Sequence, residues 1–221
     1  MAVPVAIAAP KRTSSAYMIF MLGAVSTFCG LVIVLAYLGT KEAIRKNLAT
    51  ITRESVFAAL PEAKRQDIYQ VDPSGEITKV EGLEGDLPKM FGCYDDAGKL
   101  VGVVCETAGR GYADVIKALY AYSPEKNAIV GFRVLDAKET PGLGDRISYD
   151  PDFLANFEQL DATISPDGKL VNPIVAVKHG TKSQNWQIDS ISGATISSKA
   201  VGRMVNAGAE KMIPIIQKQL E

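Results

Sequence analysis

The chain has 221 residues, with 24 Lys and Arg against 25 Asp and Glu, one His and three Cys, for a net charge of −1. So even a balance gives no electrostatic case for nucleic acid, which calls for a basic excess or patch, and 47% hydrophobic with 22% charged residues excludes a disordered chain. The averages hide a division: no Asp, Glu, Lys or Arg occurs from Thr13 to Thr40, a gap of 28 residues, and the remainder from Lys41 is mildly acidic and long enough for one sizeable core.

Residues 1–15 read as a short tail carrying Lys11 and Arg12. The run Ala16–Leu38 is predicted to be a transmembrane helix held in lipid, since its 23 positions reach about 34 Å at the helical rise. Tyr17 and Tyr37 stand near its ends, where aromatic rings favour the interface. The run is too long for a signal-peptide core and no small-x-small cleavage site follows it, so it reads as an uncleaved anchor. Lys41, Arg45, Lys46 and Arg53 follow the helix. A plain positive-inside count would place the soluble part in the cytoplasm, but the rule weakens for long translocated domains.

Lys41–Leu60 predicts a helix with an apolar stripe at Ile44, Leu48, Ile51 and Leu60, and Pro61 ends it or starts the next turn. Turn signals at 72–75, 95–98 and 123–127 separate β-prone runs, of which Lys99–Glu106 and Ala128–Leu135 read as strands. Gly111–Leu119 reads as a short helix or strand-to-helix turn. Leu170–Lys178 reads as a strand with Pro173 at an edge or bulge. Ser198–Leu220 predicts an amphipathic helix that Pro214 should kink or interrupt. The pattern gives an α+β class: a single domain, 41–221, behind one N-terminal transmembrane helix.

A two-residue hairpin loop at Asp96-Ala97 would pair position 93 with 100 and 105 with 88, which keeps Cys93 and Cys105 beyond disulfide reach. Neither a CxxC pair nor a metal-ligand cluster exists, no nucleophile–His set can be assigned from spacing, and His179 reads as an exposed loop residue. No catalytic or metal residue is assigned.

The chemistry concentrates in Asp189–Ser198, DSISGATISS, a small-residue turn directly before the terminal helix. Unpaired first-turn amides beside the positive end of the helix dipole suit a phosphate, with the hydroxyls of Thr195, Ser197 and Ser198 around it. Ordinary N-capping by Ser or Thr explains the same residues, and on spacing alone the capping reading is favoured.

DSISGAT resembles the Asp-x-x-Ser/Thr-Gly-Ala-Thr motif at which a flavin transferase joins FMN to a threonine through a phosphodiester. Glu139–Gly144, ETPGLG, is similar to the stretch of that sequence in FMN-binding subunits, and Gly109–Tyr112, GRGY, resembles their glycine-rich turn. The family resembled is the G subunit of the Rnf ion-translocating ferredoxin:NAD⁺ oxidoreductase, related to the C subunit of the sodium-translocating NADH:quinone reductase. The resemblance implies a covalent-FMN electron carrier among the other subunits of a membrane complex, with its domain on the periplasmic side of the cytoplasmic membrane and a flavin transferase as maturation partner. It also implies roles for single residues. Thr195 would carry the FMN, and Ser192, Gly193 and Ala194 would place its oxygen. Glu139, Thr140, Leu143 and Gly144 would contact the flavin, Lys178 would lie near its phosphate, and Asp189 would be recognised by the transferase. Here the chain has His179-Gly180 where the family has a double glycine. Two other readings of the residues stand beside this one: an anchored module binding a phosphorylated ligand reversibly at the Ser-Gly-Ala-Thr turn, and a structural envelope protein in which that turn only caps a helix.

Overall fold

The computed structural model describes residues 14–72, 75–83 and 88–220. Most of the expected 1–15 tail, with Lys11 and Arg12, and the middle of the 72–75 turn lie outside the described residues.

One helix, α1 (Ser15–Ala59), runs through the expected span and the expected following helix with no break between them. The chain divides into two compact units, residues 1–48 and 49–221. The first holds the part of α1 that is long and apolar enough to cross a membrane, with its large apolar side chains exposed. In the second, the end of α1 buries Thr52, Val56 and Ala59, continued by Leu60 and Ala63. Of the expected stripe, Ile44, Leu48 and Ile51 are exposed and only Leu60 is buried. Periodicity detects an apolar helical face but not what covers it; at the end of α1 the residues that pack are Thr52, Val56 and Ala59.

The second unit is built on an antiparallel sheet of β1 (Arg65–Val71), β2 (Ile77–Val80), β3 (Lys89–Tyr94), β4 (Leu100–Arg110), β5 (Val115–Ser123), β6 (Ala128–Asp136) and β7 (Leu160–Asp161), in the order β2-β1-β3-β4-β5-β6-β7. Side chains alternate across a strand, so neighbours enter different cores. Phe91, Cys93, Val104, Leu119 and Ala121 meet the end of α1 on one face. Met90, Cys105, Tyr120, Tyr122 and Phe132 meet the terminal helix α2 (Thr195–Leu220) on the other, through Val201, Val205, Ala209 and Ile213. Thr107 pins that helix to β4, its hydroxyl donating to the Met204 carbonyl at 2.8 Å.

The two strands expected at 99–106 and 128–135 are present, the first extended to Arg110. Gly111–Leu119 is neither helix nor strand-to-helix turn. Residues 111–114 close the β4–β5 hairpin, with the Gly111 amide on the Asp114 carbonyl at 2.9 Å, and a strand then runs from Val115 to Ser123. Ile116, Leu119 and Tyr120 imitate helical spacing because both faces of this central strand are buried. Of the strand expected at 170–178 only β8 (Val175–Val177) forms, parallel to β9 (Gln187–Asp189). Pro173 precedes it, and the Ile174 amide turns instead to Asn206 Oδ1 of α2 at 2.8 Å. Helix α2 begins at Thr195, three residues earlier than expected, and continues through Pro214.

Cys93 pairs with Gly102 and Cys105 with Met90, two positions off the expected register. The hairpin loop is longer, closed by the Lys99 amide on Asp95 Oδ1 at 2.8 Å, and a bulge falls at Cys93/Tyr94. The two thiols lie in different cores, free, and burial pushes each up to about 12.

A chain beginning at Ala49 is expected to fold by itself, because its contacts close within 49–221. In that fragment Phe91→Ala, at a fully buried position, should lower the urea-unfolding free energy by about 3–5 kcal/mol. A loss below about 1 kcal/mol would mean that the end of α1 covers no real core.

Candidate functional site

Three segments distant in sequence meet at one carboxylate. Glu139 leaves β6 at the start of ETPGLG and is buried, 7% exposed. It accepts from the Tyr112 amide at 3.3 Å, the Ala113 amide at 3.1 Å and the Ser197 hydroxyl at 2.5 Å. The β4–β5 turn, the 139–144 stretch and the first turn of α2 are thereby one rigid body. Charge-assisted bonds of this kind are the strong ones. The neighbouring backbone closes to contact: a β-carbon on Gly144 would stand 2.7 Å from Glu139 Oε2 and 2.8 Å from Ser197 Oγ.

Beyond Glu139 the chain makes a tight turn, Leu143 donating its amide to the Thr140 carbonyl at 3.1 Å. Pro141 sits second and Gly142 third with φ +74°, the requirements of a type II turn. The turn exposes Thr140 and Leu143. A short 3₁₀ segment (Gly144–Ser148) follows, then Asp150, which caps the brief helix Pro151–Ala155 by accepting from the Phe153 amide at 3.1 Å and pairs with Arg146. Burial pushes the Asp150 carboxyl up, but the Phe153 amide and the Arg146 guanidinium outweigh it and hold the group below its usual range.

The Ser-Gly-Ala-Thr turn is set from both ends. The Ala194 amide bonds the Ile191 carbonyl at 3.0 Å and Gly193 takes φ +85°. Ser198 Oγ accepts from the Ile191 amide at 3.0 Å and donates to the Ala194 carbonyl at 3.0 Å. The hydroxyls of Ser197 and Ser198 are therefore buried and committed inward, which removes them from the set expected around a phosphate. Thr195, first residue of the 26-residue helix α2, is exposed. Among the described residues its hydroxyl, and the amides of Thr195, Ile196 and Ser197, have no acceptor or donor partner. Leu143 lies alongside: a β-carbon on Gly193 would be 3.5 Å from its Cδ2. Tyr112, Leu143 and Ile196 are exposed apolar residues of the three segments that Glu139 joins.

Upstream, Asp189 is held on every side. Its Oδ1 accepts from the Gly180 amide at 2.7 Å, and its Oδ2 lies 3.4 Å from His179 Nδ1, which is also 3.0 Å from the Ser190 carbonyl. Asn156, buried, takes the Asp189 amide on Oδ1 at 2.9 Å and donates Nδ2 to the Asp189 carbonyl at 3.4 Å. Lys182 donates to the same Asn156 Oδ1 at 2.9 Å; burial lowers its ammonium, opposed by the Asp189 charge. The exposed Lys178 lies at the end of β8, opposite this strand end.

Residues 111–210, which contain all three segments, match the FMN-binding domain family. The chain is similar to the G subunit of the ion-translocating oxidoreductase complex of Stutzerimonas stutzeri, 29% identical over 86% of this chain and 77% of that one. With the protein of the same name in Methanosarcina acetivorans it is 30% identical over 80% of this chain and 83% of that one. The chain belongs to the family of ion-translocating oxidoreductase complex G subunits. Among solved structures this family member shares a fold with Shewanella oneidensis NqrC, at a TM-score of 0.57 and 21% identity over 82% of this chain and 98% of that one. The C subunit of the Na⁺-translocating NADH-quinone reductase of Parabacteroides distasonis gives the same TM-score, 0.57, at 24% identity over 70% of this chain and 78% of that one.

Of the residues expected at the site in this family member, Thr140, Leu143, Ser192, Gly193 and Thr195 gather at one exposed place, while Glu139, Gly144 and Ala194 lie buried beneath it. Lys178 and Asp189 stand on the β8–β9 side. Sequence reasoning missed Asn156 and the clamping role of Ser197. Nothing in the sequence ties Asn156 to Asp189, 33 positions away.

Glu139→Ala should cost about 3 kcal/mol of unfolding free energy, since it strands two amides and a hydroxyl. Glu139→Gln keeps one acceptor oxygen and should cost less. Equal stability of both variants with the native chain in urea titration would contradict the clamp.

Proposed function

We propose that this FMN-binding subunit of an Rnf-type ion-translocating oxidoreductase carries its flavin covalently, as a phosphodiester to Thr195, on a domain outside the cytoplasmic membrane. The observation that supports it best is selective exposure. Of the three hydroxyls on the first turn of α2, those of Ser197 and Ser198 are tied inward and that of Thr195 alone is open, beside three amides without acceptors. These amides and the dipole of a long helix stabilise a phosphodiester anion at that place. Bound FMN supplies the centre that takes up and passes on electrons; the protein supplies attachment, position and surroundings.

A tail-linked flavin still needs its ring held, and transfer suffers when a reacting group is loosely placed. Leu143 and Thr140, presented by the type II turn next to Gly193, suit that task, and Lys178 is the residue assigned to the phosphate. Glu139, Gly144, Ser192, Gly193 and Ala194 keep the turn in shape. Asp189 serves the flavin transferase as a recognition point, displayed on a strand end that Asn156 and Gly180 fix. Ala16–Leu38 spans the lipid, residues 1–15 remain inside, and the domain from residue 41 is periplasmic. Retention by a covalent bond fits that side, where lost FMN is not replaced.

Co-expression with a flavin transferase, followed by denaturing electrophoresis under ultraviolet light, tests attachment. A fluorescent band that Thr195→Ala abolishes and Ser192→Ala keeps is expected, with one FMN less one water in the intact mass. A fluorescent Thr195→Ala band would overturn the assignment; flavin that stays through native purification but is lost on denaturation would favour reversible binding. Leu143→Ala should retain the band but shift the flavin absorption. For topology, a cysteine replacing the exposed Asp96 should react with an impermeant maleimide in intact spheroplasts; reaction only after lysis would put the domain inside.

A further inference from the structure

Helix α2 has its charges in order at one end only. Lys218 stands in its last turn, where the negative end of the helix dipole favours a cation, but its first turn holds no acid. The only acidic residue of the helix, Glu210, lies beyond its middle. The first charge met is Lys199, and Arg203 follows four positions on. Both are exposed, and among the described residues neither side chain has an ion-pair or hydrogen-bond partner. Like charges spaced by four oppose a helix, and cations close to its positive end oppose it further.

We infer, on the reading of Thr195 as the FMN carrier, that Lys199 is the counter-ion of the attached phosphodiester, and that loading thereby stabilises the start of α2. Residues four apart on a helix are neighbours, and helical side chains lean toward the N-terminus, so Lys199 reaches back over Thr195. An anion four positions before a lysine is the favoured order of such a pair. The other positions three or four away from Lys199 are Ile196, Gly202 and Arg203, none of which can present a negative charge. Thr195, once esterified, is the one helical neighbour that can. The same anion meets the dipole of α2 at its positive end and offsets the Lys199–Arg203 repulsion. Lys178 stands on a different element, at the end of β8, whereas the spacing of Lys199 from Thr195 is set by the helix itself.

The test compares amide exchange of residues 198–201 in the full chain in detergent, with and without FMN loaded by co-expression with a flavin transferase. Loading should slow that exchange about fivefold in the native chain and in Lys199→Arg, and only about half as much in Lys199→Gln. High salt should shrink the difference between the variants. In the flavin-free chain Thr195→Glu should slow the same amides, and less so when combined with Lys199→Gln. Equal slowing in the native and Lys199→Gln chains would overturn the inference, as would an effect lost in Lys178→Gln but kept in Lys199→Gln. No slowing in a chain whose intact mass shows FMN would overturn it as well. A chain whose intact mass never shows FMN would instead refute the attachment on which the inference rests, and the Thr195→Glu comparison would still decide whether Lys199 reaches an anion at that position.

Discussion

Everything about the site depends on the burial of one carboxylate. Glu139 is 7% exposed, and its two oxygens receive two backbone amides of the β4–β5 turn and the Ser197 hydroxyl of α2. A buried carboxylate is tolerable only when its lone pairs are met by donors, so the three segments have little freedom to separate. Gly144 is part of the same constraint, because any side chain there would collide with both Glu139 and Ser197. The surface above the clamp, where Thr195 and Leu143 emerge, inherits its geometry from below.

This division between scaffold and display leaves one open hydroxyl on the first turn of the terminal helix. The segment after Asp189 holds five hydroxyl residues up to Ser198. Ser197 and Ser198 are consumed by the clamp and the helix start, Ser190 is buried, and Ser192, though exposed, stands in the turn before the helix begins. Thr195 is left at the mouth of the helix, on an element that α2 anchors along the full sheet through Val201, Val205, Ala209 and Ile213. A site on a long helix packed into a core is held more firmly than one on a free loop.

The elements legible in the sequence were those whose signal is local. The charge-free run, the turn residues and the end of α2 all rest on short-range rules. The type II turn is written in Pro141-Gly142, and the flavin motifs identified the family from few residues. What escaped depends on tertiary partners. Gly111–Leu119 was misread because a strand buried on both faces loses its alternation. The stripe of Ile44, Leu48 and Ile51 was legible as a helical face, but what covers a face is not written in it, and the α1 residues that are buried are Thr52, Val56 and Ala59. Asn156 carries no sequence mark, since its function is to satisfy a backbone brought near it only by the fold.

The most direct test of the central claim, taken together with the proposed covalent attachment, is the rate of flavin attachment in Ser197→Ala, followed by intact mass alongside amide exchange of residues 191–198. That change removes one donor to Glu139 and leaves the exposed face untouched. If the clamp sets the turn, exchange there should accelerate and attachment should slow by about tenfold, the effect of some 1.4 kcal/mol, while final occupancy stays complete. Attachment at the native rate in a variant whose 191–198 amides exchange faster would contradict the account.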